Sequence, residues 1–152
     1  MEPDKIDFRD VPDNATRSVL IRLYDFICKV VRAVNAVTPS GPGAWQDVLT
    51  GVGFQNGWGN FGGAYATAAY RLEADGTTVR LRGLIAGGAS GVAAFQLPAG
   101  FRPPGTKSLL FASYGGGVTA AWVQVDPNGN VDVVWITSNG SLILDGITFS
   151  TL

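Results

Sequence analysis

Six aromatic residues, Trp45, Phe54, Trp58, Phe61, Tyr65 and Tyr70, fall within one short stretch, interleaved with Gln55, Asn56, Asn60 and several glycines. Aromatic faces flanked by amides suit neutral sugars, whose rings present an apolar face and a rim of hydroxyls and carry no charge to be neutralised. Trp58, Tyr65 and Tyr70 are the sugar-facing candidates. The competing reading is core and interface packing, where most large aromatic side chains go. The sequence leaves both open.

Other chemistries are excluded by what the chain lacks. It has no histidine, so one chain supplies no imidazole base, no Ser-His-Asp or Cys-His arrangement and no histidine metal ligand. A single cysteine, Cys28, excludes an intrachain disulfide and a CxxC site. After residue 40 the acids are Asp47, Glu73, Asp75, Asp126, Asp132 and Asp145. Asp75, Asp126 and Asp145 stand in turns, where a carboxylate ordinarily bonds its own backbone. Glycoside hydrolysis needs two carboxyls sharing a cleft, and the spacing brings no two of these together. Gly87-Gly88 and Gly115-Gly116-Gly117 lack the following helix and lysine of a phosphate loop. The expectation is a protein that is not an enzyme, with no metal and no cofactor.

Net charge is −1, and the sequence shows no run of Lys and Arg, so nucleic acid is not an expected partner. No stretch approaches the roughly 18 consecutive apolar residues of a membrane span. The first residues, MEPDKIDFRD, are acidic and polar where a signal peptide would be basic and then apolar. Membrane insertion and general secretory export are both unexpected.

The elements that must carry these residues divide near residue 40: all 21 glycines of the 152-residue chain come after it. Pro12, Asp13, Asn14 and Thr16 introduce a run free of glycine and proline, as a capped helix begins, and Pro39-Ser40-Gly41-Pro42-Gly43 stops it. The expected helix covers residues 12–38, followed by a linker over 39–43. Leu20, Leu23, Ile27, Val30, Val34 and Val37 recur at alternating spacings of three and four, the seam of a coiled coil. Val19, Phe26 and Ala33 on one flank and Tyr24 and Val31 on the other widen that seam beyond what two strands cover. Leucine and β-branched residues share both core positions, which favours a trimer. The alternative is a single amphipathic helix packed on its own domain. Residues 1–11, with alternating charge and the apolar pair Ile6 and Phe8, read as an extended arm, either docking onto a larger assembly or simply frayed.

From Ala44 to Leu152 short apolar runs broken by glycine indicate an all-β head. Strands are expected over 65–72, 77–85, 92–97, 108–113, 118–125, 131–137, 141–144 and 147–150. Glu73-Ala74-Asp75-Gly76 and Asp126-Pro127-Asn128-Gly129-Asn130 read as hairpin turns, and Asn139-Gly140 and Asp145-Gly146 as two further turns. Eight to ten strands joined mostly by hairpins indicate a mainly β fold, an antiparallel, jelly-roll-like β-sandwich. The continuous apolar runs Val133-Val134-Trp135-Ile136 and Leu142-Ile143-Leu144 suggest strands covered on both faces, the second cover being another subunit.

Several motifs together resemble the C-terminal head domain of bacteriophage tail-fibre and minor tail proteins: QNGWGNFGG around Trp58, Tyr70-Arg71, Asp75-Gly76, the RLRG strand from Arg80 to Gly83, LPAGFRP from Leu97 to Pro103, and Leu144-Asp145-Gly146-Ile147 with Phe149. The resemblance covers about residues 45–152, and LPAGFRP after RLRG is its most specific element. It implies a homotrimeric β-sandwich head on a coiled-coil or triple-stranded stalk, located on the virion, that meets host surface polysaccharide. Other virion proteins would be held through the N-terminal arm. A stalk of one helix, with a glycine- and proline-free run from Arg17 to Thr38 of about 22 residues, is about 33 Å long at 1.5 Å per residue, too short for a long-reach fibre. It suits a short fibre or a compact tail-tip or baseplate head; the alternative is a capsid or tail decoration protein that binds no sugar.

Overall fold

The computed structural model describes residues 13–36, 41–116, 119–137 and 140–152. It divides into two compact units, Met1–Pro39 and Ser40–Leu152. In the first, a helix, α1, spans Asn14–Ala36. Asp13 caps it: its Oδ2 accepts the backbone N–H of Thr16 at 3.0 Å and the Thr16 hydroxyl at 2.6 Å, satisfying a donor that the first turn leaves without a partner. Along its length Val19, Leu23, Phe26, Ile27 and Val30 are exposed, and Leu20 and the free Cys28 are intermediate. The expected arm over 1–11, Val37, residues 39 and 40 of the linker and the side chain of Val34 lie outside the described residues.

The second unit is mainly β. Its strands are β1 (Gln46–Asp47), β2 (Gly59–Asn60), β3 (Ala69–Leu72), β4 (Thr78–Arg82), β5 (Leu84–Ala86), β6 (Val92–Gln96), β7 (Leu109–Gly115), β8 (Thr119–Val125), β9 (Asn130–Ile136), β10 (Leu142–Ile143) and β11 (Thr148–Ser150). They form two antiparallel sheets, one ordered β1-β3-β4-β11 and the other β2-β5-β10-β7-β8-β9-β6. The inner faces share one core. Tyr70, Val79, Leu81 and Phe149 come from the first sheet, and Ile85, Phe95, Val123, Val133 and Leu142 from the second.

Two turns behave as their residues require. In the β3–β4 hairpin Asp75 Oδ1 accepts the N–H groups of Thr77 and Thr78 at 2.9 and 2.8 Å, and Gly76 supplies φ of 69°. In the β8–β9 hairpin Asp126 accepts both the N–H and the side-chain amide of Asn130 at 2.9 Å.

One expectation is corrected. The strand over 77–85 is two strands in different sheets, broken at Gly83. Its φ is 105°, and a Cβ there would stand 2.5 Å from the Thr67 carbonyl oxygen, so only glycine fits. Asp145-Gly146 does form a turn, with the Ile147 N–H bonded to the Leu144 carbonyl at 3.2 Å. The turn joins β10 of the large sheet to β11 of the small one, a crossover between the sheets. In the run Val133-Val134-Trp135-Ile136 the β8–β9 register slips between Trp122 and Val123. At that bulge Val134 and Trp135 both point outward, while Val133 and Ile136 are buried. The two-residue strands β1 and β2 were not expected at all.

Gly83→Ala should lower unfolding free energy by about 3 kcal/mol, because it adds both a left-handed strain and a backbone clash; urea denaturation measures this, and an unchanged midpoint would contradict it. Asp75 offers a second check. The Thr78 hydroxyl, then the N–H groups of Thr78 and Thr77, hold its carboxyl at about 2 against an ordinary 3.8. A folded value below the unfolded one means the stabilisation is complete above the ordinary range and lost as pH falls toward the folded value. The difference in melting temperature between the natural protein and Asp75→Ala should therefore narrow between about pH 5 and about pH 2; a constant difference would count against the assignment.

Candidate functional site

The QNGWGNFGG segment closes the large sheet. Phe54 bridges Phe95 on β6, the Gln55 N–H bonds the Ala94 carbonyl at 2.8 Å, and the Asn56 side chain donates to the Ala93 carbonyl at 2.8 Å. A few residues on, β2 pairs with β5 at the opposite edge. One segment thus joins β6 to β5 and leaves the seven-stranded sheet nearly barrel-shaped, satisfying donors and acceptors that an open edge would expose. Asn60 is occupied as well, its Oδ1 accepting the Ala68 N–H at 2.8 Å.

That closure decides the fate of the expected sugar-facing residues. Trp58 is 4% exposed; its indole N–H donates to the Ala89 carbonyl at 3.1 Å, and its ring lies so close to Gly88 that a Cβ there would be 2.1 Å away. Tyr70 is 2% exposed, with its ring edge-on to Phe101 at 4.9 Å; burial raises its hydroxyl pKa. Neither ring presents a face to a ligand in solvent. They are core residues, and the side-chain amides of Asn56 and Asn60 that suggested sugar recognition are spent on backbone.

Tyr65 is different. At 61% exposure it stacks edge-on against Phe61, ring centres 5.4 Å apart, and it lines a pocket with Ala66, Leu84, Tyr114, Ser141, Ile143 and Asp145. The pocket volume is about 260 Å³, below the roughly 300–1,000 Å³ of drug-sized sites. Leu84 and Ile143 pair across β5 and β10, and Tyr114, on β7, is 62% exposed. Asp145 accepts the Gly83 N–H at 3.3 Å, which ties the pocket's carboxylate to the corner between the sheets. Two aromatic rings, a hydroxyl and a carboxylate around an apolar patch can hold one sugar ring by stacking and hydrogen bonds. Sequence reading missed Tyr114, Ser141 and Ile143. The expected strand ended at Ser113, and nothing in the spacing tied Tyr114 to Tyr65.

The acids are mostly engaged. Asp47 accepts the Thr50 N–H at 3.1 Å, which lowers its pKa, and Glu73 pairs with Arg71 at 3.1 Å. Asp132 is the exception: burial first, and the charge of Asp126 second, raise its pKa. The fold therefore brings two acids within electrostatic reach where spacing brought none together, although Asp126 has both oxygens committed to Asn130. Among the described residues no group of three metal-ligating side chains is found, and no helix is long and apolar enough to cross a membrane.

The crystal structure of the receptor binding protein gp15 of Listeria phage PSA is similar to this chain with a TM-score of 0.59, over 95% of this chain and 82% of that one. Identity is 17%, so the likeness is one of fold. It agrees with the resemblance carried by the RLRG and LPAGFRP motifs. No protein-family profile matches the chain, and no curated protein sequence matches it.

Trp58→Ala should cost about 3–5 kcal/mol of stability, whereas Tyr65→Ala should change it by no more than about 0.5 kcal/mol. Denaturant unfolding of the two variants distinguishes a core ring from a surface ring, and equal costs would refute the distinction.

Proposed function

We propose that this chain is a non-enzymatic virion protein that attaches the particle to a host surface polysaccharide through its β head. The observation that carries this reading is the pocket between Tyr65 and Tyr114 on a head whose fold is similar to that of a phage receptor-binding protein. A pocket of single-sugar size binds weakly by itself. Several copies acting at once on a repetitive glycan multiply that affinity without new contacts.

The multiplicity comes from α1 as a homotrimeric coiled coil. Leu20, Leu23, Ile27, Val30, Val34 and Val37 form its seam, and the exposure of Leu23, Ile27 and Val30 in the single chain supports it. Trimeric packing also gives a cover to Leu110, Trp122, Val134 and Trp135, which crowd the outer face of β7, β8 and β9. The head is then a jelly-roll-type sandwich on a short stalk, with residues 1–11 anchoring it to other virion proteins.

The test uses the full chain. Sedimentation should give a mass three times 15.9 kDa. Labelled protein should bind cells on which the phage carrying it grows, and Tyr65→Ala with Tyr114→Ala should cut that binding at least tenfold with the trimer intact. A monomer at micromolar concentration would overturn the trimer. Binding only to particles stripped of this protein, and not to cells, would instead establish a decoration protein.

A further inference from the structure

The β3–β4 hairpin assembles a cluster of cations that the sequence does not display. Arg71 and Arg80 are direct cross-strand partners, and Arg82 lies in the next outward row, opposite Ala69. These are three of the five basic residues after residue 40. The guanidinium carbons of Arg71 and Arg82 both stand over the Trp45 ring, 4.4 and 4.3 Å from its centre, so the two charges are held less than about 9 Å apart. Like charges so placed disfavour a sheet unless something offsets them.

Glu73 offsets only part of this. It bonds Arg71 through both oxygens, at 3.1 and 3.2 Å, and lies 3.7 Å from Arg80. Asp47, whose strand neighbours the same row, is engaged by Thr50. Three cations against one nearby anion leave an excess of positive charge on this face. The Arg82 Nε is moreover buried with no hydrogen-bond partner among the described residues. A buried donor without an acceptor is costly, and such a group in a folded protein marks a missing partner.

We propose that Trp45, Arg71, Arg80 and Arg82 form an anion-binding site on the outer face of the four-stranded sheet, for a carboxylate- or phosphate-bearing saccharide. Guanidiniums stacked on an aromatic ring are already ordered, and their planar forks match an oxyanion through paired hydrogen bonds. Arg80, half-exposed and only loosely held by Glu73, is free to close over a bound anion. The saccharide part of the proposal rests on the attachment reading, while the anion site stands on the cluster itself. The site is also distinct from the Tyr65–Tyr114 pocket, whose strand residues belong to the other sheet.

Calorimetric titration of the full chain with an oligogalacturonate, a phosphomannan oligosaccharide and a neutral mannan oligosaccharide tests it. At least one charged probe should bind ten times or more tighter than the neutral one. That binding should weaken at least tenfold in Arg80→Gln with Arg82→Gln, and again between about 50 and about 500 mM salt. Arg80→Glu alone, at an exposed position, repeats the test if the double variant does not fold. Tyr65→Ala should leave the charged-probe affinity unchanged. Charged probes that bind no tighter than the neutral one, or that bind the arginine variants equally, overturn the site. Charged-probe binding that persists in a protein unable to bind cells upholds the site and removes the attachment reading.

Discussion

The head depends on one corner, where the chain changes sheets twice side by side. Gly83 ends β4 in the small sheet and begins β5 in the large one, and the turn Leu144–Ile147 carries β10 of the large sheet into β11 of the small one. The two crossings bond each other: the Leu144 N–H to the Gly83 carbonyl at 2.9 Å, the Leu81 N–H to the Ile147 carbonyl at 3.0 Å, and the Gly83 N–H to the Asp145 carboxylate at 3.3 Å. Backbone groups that a change of sheet would strand are thereby satisfied in pairs. Without a Cβ, Gly83 lets Thr67 and Ala68 approach closely enough to complete the corner.

The same corner sets what the outside presents. Leu81, Gly83 and Ile85 are buried, so Arg82 and Leu84 both point away from the core, one from each sheet. Arg82 joins the cations around Trp45, and Leu84 joins Ile143 and Asp145 in the pocket. Two residues apart in sequence, they serve two surfaces of different chemistry.

This also explains which parts of the fold sequence reading reached. Turns such as Asp75-Gly76 and Asp126–Asn130 were legible because their hydrogen bonds are local and need particular side chains. The helix was legible because Asp13, the apolar spacing and the closing prolines and glycines all act within a turn or two. The break at Gly83 was hidden, because Val79, Leu81, Gly83 and Ile85 keep a period of two straight through the change of sheet. Trp58 was misread because an aromatic residue among amides looks alike whether the amides face a sugar or staple a sheet edge. The outward pair Val134 and Trp135 depends on a register slip that hydrophobicity does not record, and the arginine cluster on a cross-strand register that linear spacing does not contain.

The two outer faces are suited to different fates. Leu110, Trp122, Val134 and Trp135 lose little and gain much when another protein surface removes them from water. Arg71, Arg80 and Arg82 behave in the opposite way, since a guanidinium is costly to desolvate unless an acceptor replaces the water it loses. In the proposed trimer the apolar face of the large sheet therefore turns toward neighbouring copies and the cationic face of the small sheet stays open. On the proposed reading the pocket takes one sugar ring and the arginines take a separate anionic group, and repetition across the copies strengthens two contacts that are weak singly.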